Sequence, residues 1–104
     1  MLKPLHALGL ATAVALIMSF PSISYSYTGQ ELAPQAKVSL QQARAIALKT
    51  VPGTITDQEL EKEPGGSRLR YSFDIKTGAK TFEVGVDAQT GAVLERKVEG
   101  PNPD

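Results

Sequence analysis

The sequence predicts an α+β fold in which one N-terminal helix packs on an antiparallel four-stranded meander. Three observations support this fold class. An apolar stripe with helical spacing comes first, apolar residues at every second position follow it, and short polar turns separate the alternating runs. Because strands joined by short turns run antiparallel, the helix is expected to cover the apolar face of the sheet.

The helix is predicted by the agreement of its cap, its apolar stripe and its stop signal. Ser39 is a favourable N-cap residue, and Gln42 completes a capping box in which each side chain bonds the other residue's backbone N–H. Pro52 and Gly53 end the helix. The stripe consists of residues spaced by three or four: Leu40, Ala43, Ala47 and Val51.

Four strands are predicted after the helix, because apolar and polar residues alternate there. In the second strand this alternation predicts one apolar face and one solvent-exposed polar face. The predicted strands are Thr54–Lys62, Arg68–Lys76, Thr81–Asp87 and Ala92–Val98. The predicted core is Leu40, Ala43, Ala47, Leu60, Leu69, Tyr71, Phe73, Ile75, Phe82, Val84, Val86 and Leu94.

The first 26 residues have the layout of a cleaved secretory signal, which predicts a periplasmic or secreted protein. Lys3 precedes an apolar run from Leu5 to Phe20, and the small residues Ser24 and Ser26 predict a signal-peptidase cut after Ser26, with a cut two residues earlier as the alternative. An uncleaved anchor is the alternative, but this run has 16 residues, and a bilayer span needs about 20. The predicted organisation is a signal peptide over 1–26, a flexible leader over 27–37, one domain over 38–99 and a disordered tail over 100–104.

The composition excludes several classes of function. The chain has no Cys or Trp, and its single His and both Met residues lie in the predicted signal peptide. A His-activated nucleophile and a His or thiolate metal centre are therefore absent after cleavage, so we expect no enzyme activity, no cofactor and no metal. Ten basic and eleven acidic residues remain, and this balance argues against a nucleic-acid partner. Since the chain has no Cys for a lipid tether, we also expect no membrane partner once the signal is removed.

Two groups of residues are candidates for special roles. Asp87, Thr90 and Gly91 are predicted to form a structural turn, in which Asp87 accepts backbone hydrogen bonds and Gly91 takes a positive φ. Arg68 and Arg70 are two positions apart on the predicted polar face of the second strand, so they are candidates for binding an acidic partner. A solvated face without a ligand is the alternative interpretation of the two arginines.

The first or last strand of an open meander leaves unpaired backbone groups at a sheet edge. An extended peptide can add to such an edge as a further strand, and this is the binding mechanism that we expect. A hydrolase would instead need two carboxylates in a cleft. Nothing in the spacing of the acidic strand residues singles out such a pair among Glu59, Glu61, Glu63, Asp74 and Glu83.

Several strings along the chain together resemble the PepSY domain. The resemblance covers nearly the whole predicted domain, and its most specific part is the closing V-D-A-x-T-G-x-V string after an aromatic strand. The strings are Ala43–Leu48 with Val51–Gly53, Glu59-Leu60, Tyr71-x-Phe73-x-Ile75, and Phe82-x-Val84-x-Val86-Asp87-Ala88-x-Thr90-Gly91-x-Val93.

The resemblance implies a small exported module of the kind found in propeptides of thermolysin-type metalloproteases and as stand-alone envelope proteins. It implies no catalytic residue. We therefore predict a non-catalytic binding module that inhibits or regulates a peptidase in the cell envelope, with a peptidase or a peptide segment as its partner. The alternative is an envelope structural or sensory domain that binds a small or cell-wall ligand. The sequence leaves the partner's identity and the oligomeric state open.

Overall fold

The structure is a computed structural model that describes residues 26–99 of the chain. The predicted tail and, apart from Ser26, the predicted signal peptide lie outside these residues. The elements, in chain order, are a 3-10 helix Gln30–Gln35, α1 Leu40–Thr50, β1 Thr54–Lys62, β2 Leu69–Thr77, β3 Lys80–Asp87 and β4 Val93–Val98.

The four strands form one antiparallel sheet in the order β1-β2-β3-β4, so the predicted α+β meander is confirmed. Helix α1 packs against the two central strands, β2 and β3. The predicted position of the helix needs one correction. Among the described residues α1 is not the first helical element, because the 3-10 helix precedes it.

Helix α1 begins at the predicted capping box. Ser39 Oγ accepts a hydrogen bond from Gln42 N at 3.1 Å, and Gln42 Oε1 accepts one from Ser39 N at 2.9 Å. Further along the helix, Ala43 and Ala47 are completely buried. Their small side chains let the helix backbone lie close to the aromatic part of the sheet.

The hydrophobic core lies between α1 and one face of the sheet. Tyr71 and Phe73 of β2 stack there with their ring centroids 6.3 Å apart. The Tyr71 hydroxyl donates a hydrogen bond of 2.7 Å to Val38 O, which ties the residue before the helix cap to the sheet. The predicted core residues that are buried are Ala43, Ala47, Leu60, Leu69, Tyr71, Phe73, Ile75, Val84 and Val86.

The predicted core also needs corrections, of which Leu94 is the most informative. The pairing of β3 with β4 contains a β-bulge between Gly85 and Val86, which inserts an extra residue into β4 and breaks the alternation. The Leu94 side chain lies beside Gly66 and is outside the core cluster. The other predicted core residues that are only partly buried are Leu40 and Phe82, and the buried hydrophobic residues that were not predicted are Val51 and Ala88.

Residues 27–37 differ from the predicted flexible leader, because they pack along the edge of β1. Leu60 N donates a hydrogen bond of 2.9 Å to Thr28 O. Gly29 has a φ of 86°, and a Cβ at this position would lie 1.7 Å from Leu60 O, so the close approach requires glycine. Leu32 of the 3-10 helix packs against the core. These contacts join segments that are distant in sequence, so local periodicity did not reveal them.

The first half of β2 lacks the predicted solvent-exposed face. Arg70 is only 8% exposed and Ser72 only 5%. Side chains from neighbouring segments cover both residues: Glu63 and Glu95 lie against Arg70, and Glu83 accepts a hydrogen bond from Ser72. Because β2 is a central strand, acidic side chains from β3, from β4 and from the β1–β2 turn can reach over its polar face.

Candidate functional site

Asp87 organises the turn between β3 and β4. Its Oδ1 accepts hydrogen bonds from Ser67 Oγ at 2.8 Å, Gln89 N at 2.8 Å and Thr90 N at 3.1 Å, and its Oδ2 accepts one from Ser67 N at 2.7 Å. Gly91 has a φ of 83°, and its N–H donates to Asp87 O at 2.8 Å. The carboxylate thereby ties its own turn to the turn between β1 and β2.

The charge of Asp87 is satisfied inside the chain. The residue is 2% exposed. Burial raises the pKa of its carboxyl, but the hydrogen bonds donated by Ser67, Gln89 and Thr90 outweigh burial and hold the pKa at about 2. The carboxylate is therefore ionised at neutral pH and is engaged in holding two turns together.

Arg70 lies on the face of the sheet opposite α1, where it is enclosed by acidic and backbone groups. Its Nη1 is 3.3 Å from Glu95 Oε1 and 3.9 Å from Glu63 Oε1, and its Nη2 donates to Pro64 O at 3.1 Å. Its Nε is buried without a hydrogen-bond partner among the described residues. Arg70 therefore holds the β1–β2 turn and β4 together and is not accessible as a free cation.

The structure separates Arg68 from Arg70. Strand β2 begins at Leu69, and Arg68 lies in the preceding turn with a φ of 77°. Its N–H donates to Gly65 O at 2.9 Å, and its carbonyl accepts from Glu63 N at 3.2 Å. The predicted arrangement of two arginines side by side on one exposed strand face is therefore wrong. Arg68 itself is exposed, and its role in binding a partner stays a prediction.

We call the face of the sheet opposite α1 the acidic face, because every strand contributes carboxylates to it. The strand register brings four of the five acids considered for a hydrolase onto this face, although their sequence spacing did not show which strands would be neighbours. The acids on this face are Asp57, Glu59, Glu61, Asp74, Glu83, Asp87, Glu95 and Glu99, and the bases are Arg70, Lys76 and Lys97.

Two carboxyl groups on the acidic face have raised pKa values. Partial burial, a hydrogen bond with Glu63 and the charge of Glu59 together raise the pKa of Glu61 to about 7. Partial burial also raises the pKa of Asp74 to about 6, with a contribution from the charge of Glu99. Folding therefore opposes ionisation of Glu61 and Asp74.

We expect the free energy of unfolding to fall as the pH rises from about 4 to about 7. The pKa of Asp74 rises on folding from 3.8 to about 6, and that of Glu61 from 4.5 to about 7. The folded protein therefore holds more protons than the unfolded chain in this window, and stability is lost as the pH rises. Urea unfolding should give a higher midpoint near pH 4.5 than near pH 7.5.

The substitution Asp74→Asn tests the cause of this pH dependence. It should raise the urea midpoint near pH 7.5, change it little near pH 4.5, and so flatten the dependence. Glu31→Gln is the matched control, because Glu31 is exposed on the 3-10 helix, and it should keep the parent's pH dependence. An Asp74→Asn protein with the parent's full pH dependence would show that this carboxyl is not responsible.

Strand β4 has an open edge, because it is the last strand of the sheet and no described residue pairs with its outer side. Glu99 N donates to Thr81 O at 2.8 Å. Hydrogen-bonded pairs in an antiparallel ladder recur at every second residue, so Lys97 also directs its backbone groups towards β3. The backbone N–H and C=O groups of Arg96 and Val98 consequently point to the open edge.

Apolar side chains flank the open edge of β4. Val93 is 43% exposed and Val98 is 50% exposed, and they are the large hydrophobic residues most open to solvent among those described. The Arg96 guanidinium lies 5.0 Å from the centroid of the Phe82 ring, where it makes a cation–π contact. The edge therefore offers an added strand both backbone hydrogen bonds and apolar contacts.

The opposite edge of the sheet, at β1, is partly covered by the chain itself. Thr28 pairs in parallel with Glu59 and accepts the hydrogen bond from Leu60 N. Next to this pairing is a groove of about 390 Å³, whose lining includes Tyr27 and Asp57. An extended partner would have to displace the residue 28 pairing to use all of β1, so β4 is the more accessible edge.

Comparison with known families identifies the chain. It matches the family model described as "PepSY: Peptidase propeptide and YPEB domain" over residues 37–97, which is more than half of its length. The chain belongs to the PepSY family. The match extends from the residues before α1 into β4, so the PepSY unit includes all of the sheet except Val98, the last residue of β4. The family name associates the fold with the propeptides of peptidases.

The closing string of the PepSY resemblance coincides with the Asp87 turn. Asp87, Thr90 and Gly91 are the residues that supply the carboxylate, an N–H donated to it and the positive φ in this turn. The predicted resemblance is thus confirmed by the family match, and the structure gives its most specific part a local physical reason.

A search of curated proteins finds a relative of low sequence identity. The PepSY chain is 27% identical over 70 residues to "Uncharacterized protein YkoJ" of Bacillus subtilis (strain 168). The match covers 67% of this chain and 41% of the relative, so the chain spans less than half the length of that protein. No solved structure matches the chain.

Two further findings concern only residues 26–99 of the PepSY protein. No helix in this range has the length and apolar character needed to cross a bilayer. In the same range, no group of three or more His, Cys, Asp or Glu residues is arranged to hold a metal ion.

Proposed function

We propose that this PepSY protein is an exported, non-catalytic binding module that inhibits or regulates a peptidase in the cell envelope. The family description supports the link to peptidases. The basic and apolar pattern of the first 26 residues supports export to the periplasm or the medium. Its partner in this proposal is a secreted or envelope peptidase, bound through an extended segment.

The observation that carries this proposal is the open edge of β4. An extended peptidase segment would add there as a fifth strand and bond the outward backbone groups of Arg96 and Val98. Main-chain hydrogen bonds supply the affinity in this type of recognition, and alternate side chains supply the specificity. Apolar residues at every second position of the segment would lie beside Val98 and Phe82.

The first experiment is affinity capture with the protein immobilised and presented to envelope extract and culture medium. A captured peptidase is then assayed for activity against increasing concentrations of the protein. We expect the peptidase to be slowed in a concentration-dependent way. Extracts that repeatedly give no peptidase would contradict the proposed function.

A matched pair of variants tests whether the β4 edge is the binding site. Val98→Pro removes an N–H that points to the open edge, and it should weaken peptidase binding at least about tenfold, or 1.4 kcal/mol. Since that N–H makes no bond to β3, the substitution should leave the fold intact, as checked by circular dichroism. Val98→Ala keeps the N–H and should retain most of the binding. Unchanged affinity in the folded Val98→Pro protein would place the site elsewhere.

A further inference from the structure

We propose that two copies of this chain pair through their β4 edges, in antiparallel orientation about a two-fold axis at Val98, to form a continuous eight-stranded sheet. In this arrangement Val98 lies opposite Val98 of the second copy, and Lys97 lies opposite its Glu99. The free edge of β4, the exposure of Val98 and the order of charges along the strand support this pairing.

The backbone of β4 is suited to pairing of this kind. The N–H and C=O groups of Val98 point away from β3, because Glu99 on one side and Lys97 on the other use theirs in the β3–β4 ladder. Two copies related by a two-fold axis at Val98 would therefore exchange a pair of backbone hydrogen bonds at that residue. An unpaired edge of this kind is a template for pairing with another strand.

The side chains select the register. With the axis at Val98, each Lys97 faces a Glu99, and two opposite-charge pairs form on the acidic face. Moving the axis to Lys97 would place Lys97 opposite Lys97 and Glu95 opposite Glu99. Moving it to Arg96 would place Glu95 opposite Lys97 on both sides but also Arg96 opposite Arg96, so among these three registers only the axis at Val98 gives opposite-charge pairs without a like-charge pair. Like charges directly opposite each other are unfavourable in a sheet. The charges therefore favour the axis at Val98.

The same register accounts for two features of the single chain. Val98 is 50% exposed, and its counterpart in the second copy would cover it on the helix side of the sheet. Glu99 adds to the repulsion that raises the pKa of Asp74, and Lys97 of the second copy would bring a positive charge to that part of the acidic face. Pairing thus buries an exposed apolar side chain and offsets charge repulsion.

Pairing would use the edge to which we assign peptidase binding, so the dimer would be a resting form that the peptidase must open. This consequence rests on the proposed function, whereas the dimer does not. The tests below contain no peptidase, so they decide the dimer separately from the peptidase interaction.

Disulfide trapping tests the register, because the chain contains no cysteine to interfere. In Val98→Cys the two introduced thiols would lie on Cα atoms about 5.5 Å apart, within disulfide range. In the control Arg96→Cys, the two thiols would be separated by about four residues of strand, or about 13 Å, which is too far. After mild oxidation of the full chain, the Val98→Cys protein should migrate as a covalent dimer and the Arg96→Cys protein as a monomer.

A charge-reversal pair tests the same contact without cysteine. Lys97→Glu and Glu99→Lys should each weaken self-association about tenfold, because each variant places like charges opposite each other. Sedimentation equilibrium of the full chain measures this change. An equimolar mixture should recover dimers, since the two variants complement each other. Structural damage by either substitution would not be repaired by mixing.

Three outcomes would overturn the proposal. The first is a parent chain that stays monomeric at high micromolar concentration, with no trapping of Val98→Cys. The second is trapping of Arg96→Cys in preference to Val98→Cys. The third is a mixture of the two charge variants that associates no better than each variant alone.

Discussion

Replacing Asp87 by alanine is expected to lower the free energy of unfolding by about 3–4 kcal/mol, because several donors lose a buried acceptor at once. Ser67 N and Oγ, Gln89 N and Thr90 N all donate to this carboxylate. The two turns that they hold would lose their connection. For a domain of this size the expected loss is a large part of the total stability.

Urea unfolding of Asp87→Ala against Asp57→Ala measures this effect at constant pH. Asp57 is exposed, so its replacement should change the midpoint little. The urea midpoint of Asp87→Asn should lie between those of Asp87→Ala and Asp57→Ala, because the amide keeps one acceptor oxygen but presents an N–H to a Ser67 donor. A loss in Asp87→Ala no larger than in Asp57→Ala would mean that the turn does not depend on the carboxylate.

The same carboxylate predicts a loss of stability in acid. The pKa of Asp87 falls on folding from 3.8 to about 2. Its contribution is therefore present above about pH 4 and is lost as the pH falls towards 2. The parent protein should lose stability over this range, and Asp87→Asn should lose less of it.

Replacing Arg70 by alanine is expected to cost about 3 kcal/mol of unfolding free energy, because it removes the cation from a buried ion-pair network. The Arg70 side chain is 9% exposed, and its Nη1 contacts Glu95 at 3.3 Å. The substitution would also leave Pro64 O without its donor and open a cavity beneath the acidic face. We expect a lower thermal midpoint and a lower urea midpoint.

Two further variants separate the charge of Arg70 from its packing. Arg70→Met keeps the aliphatic volume without the charge, so it should recover part of the loss seen in Arg70→Ala. Lys97→Ala removes an exposed cation whose nitrogen lies 3.3 Å from Glu95 Oε2, and it should change stability little. Equal stabilities for Arg70→Ala and Lys97→Ala would show that burial of the ion pair has no energetic consequence.

The elements that sequence reasoning placed correctly are those specified by neighbouring residues. The capping box of Ser39 and Gln42 acts over three positions, and the alternation in β2 and β3 acts over two. The short turns between strands then leave an antiparallel meander as the simple solution. The structure confirms these elements because none of them depends on a distant contact.

The errors concern residues whose surroundings come from other parts of the chain. Alternation correctly put Arg70 on the face away from the helix, but Glu63 and Glu95 close over it from a turn and from β4. Leu94 leaves the core because a bulge shifts the register of β4 against β3. The sequence predicted the binding edge only as the first or the last strand. The pairing of Thr28 with Glu59 covers part of β1 and so leaves β4 as the more accessible edge.

The sequence by itself determined the helix, the alternating strands, their order along the chain and the family signature, because each depends on local spacing and turn chemistry. Tertiary structure alone decided which polar residues are buried, which acids share a face and which sheet edge stays open. These properties depend on strand register and on contacts between distant segments. Neither follows from the period of any single strand.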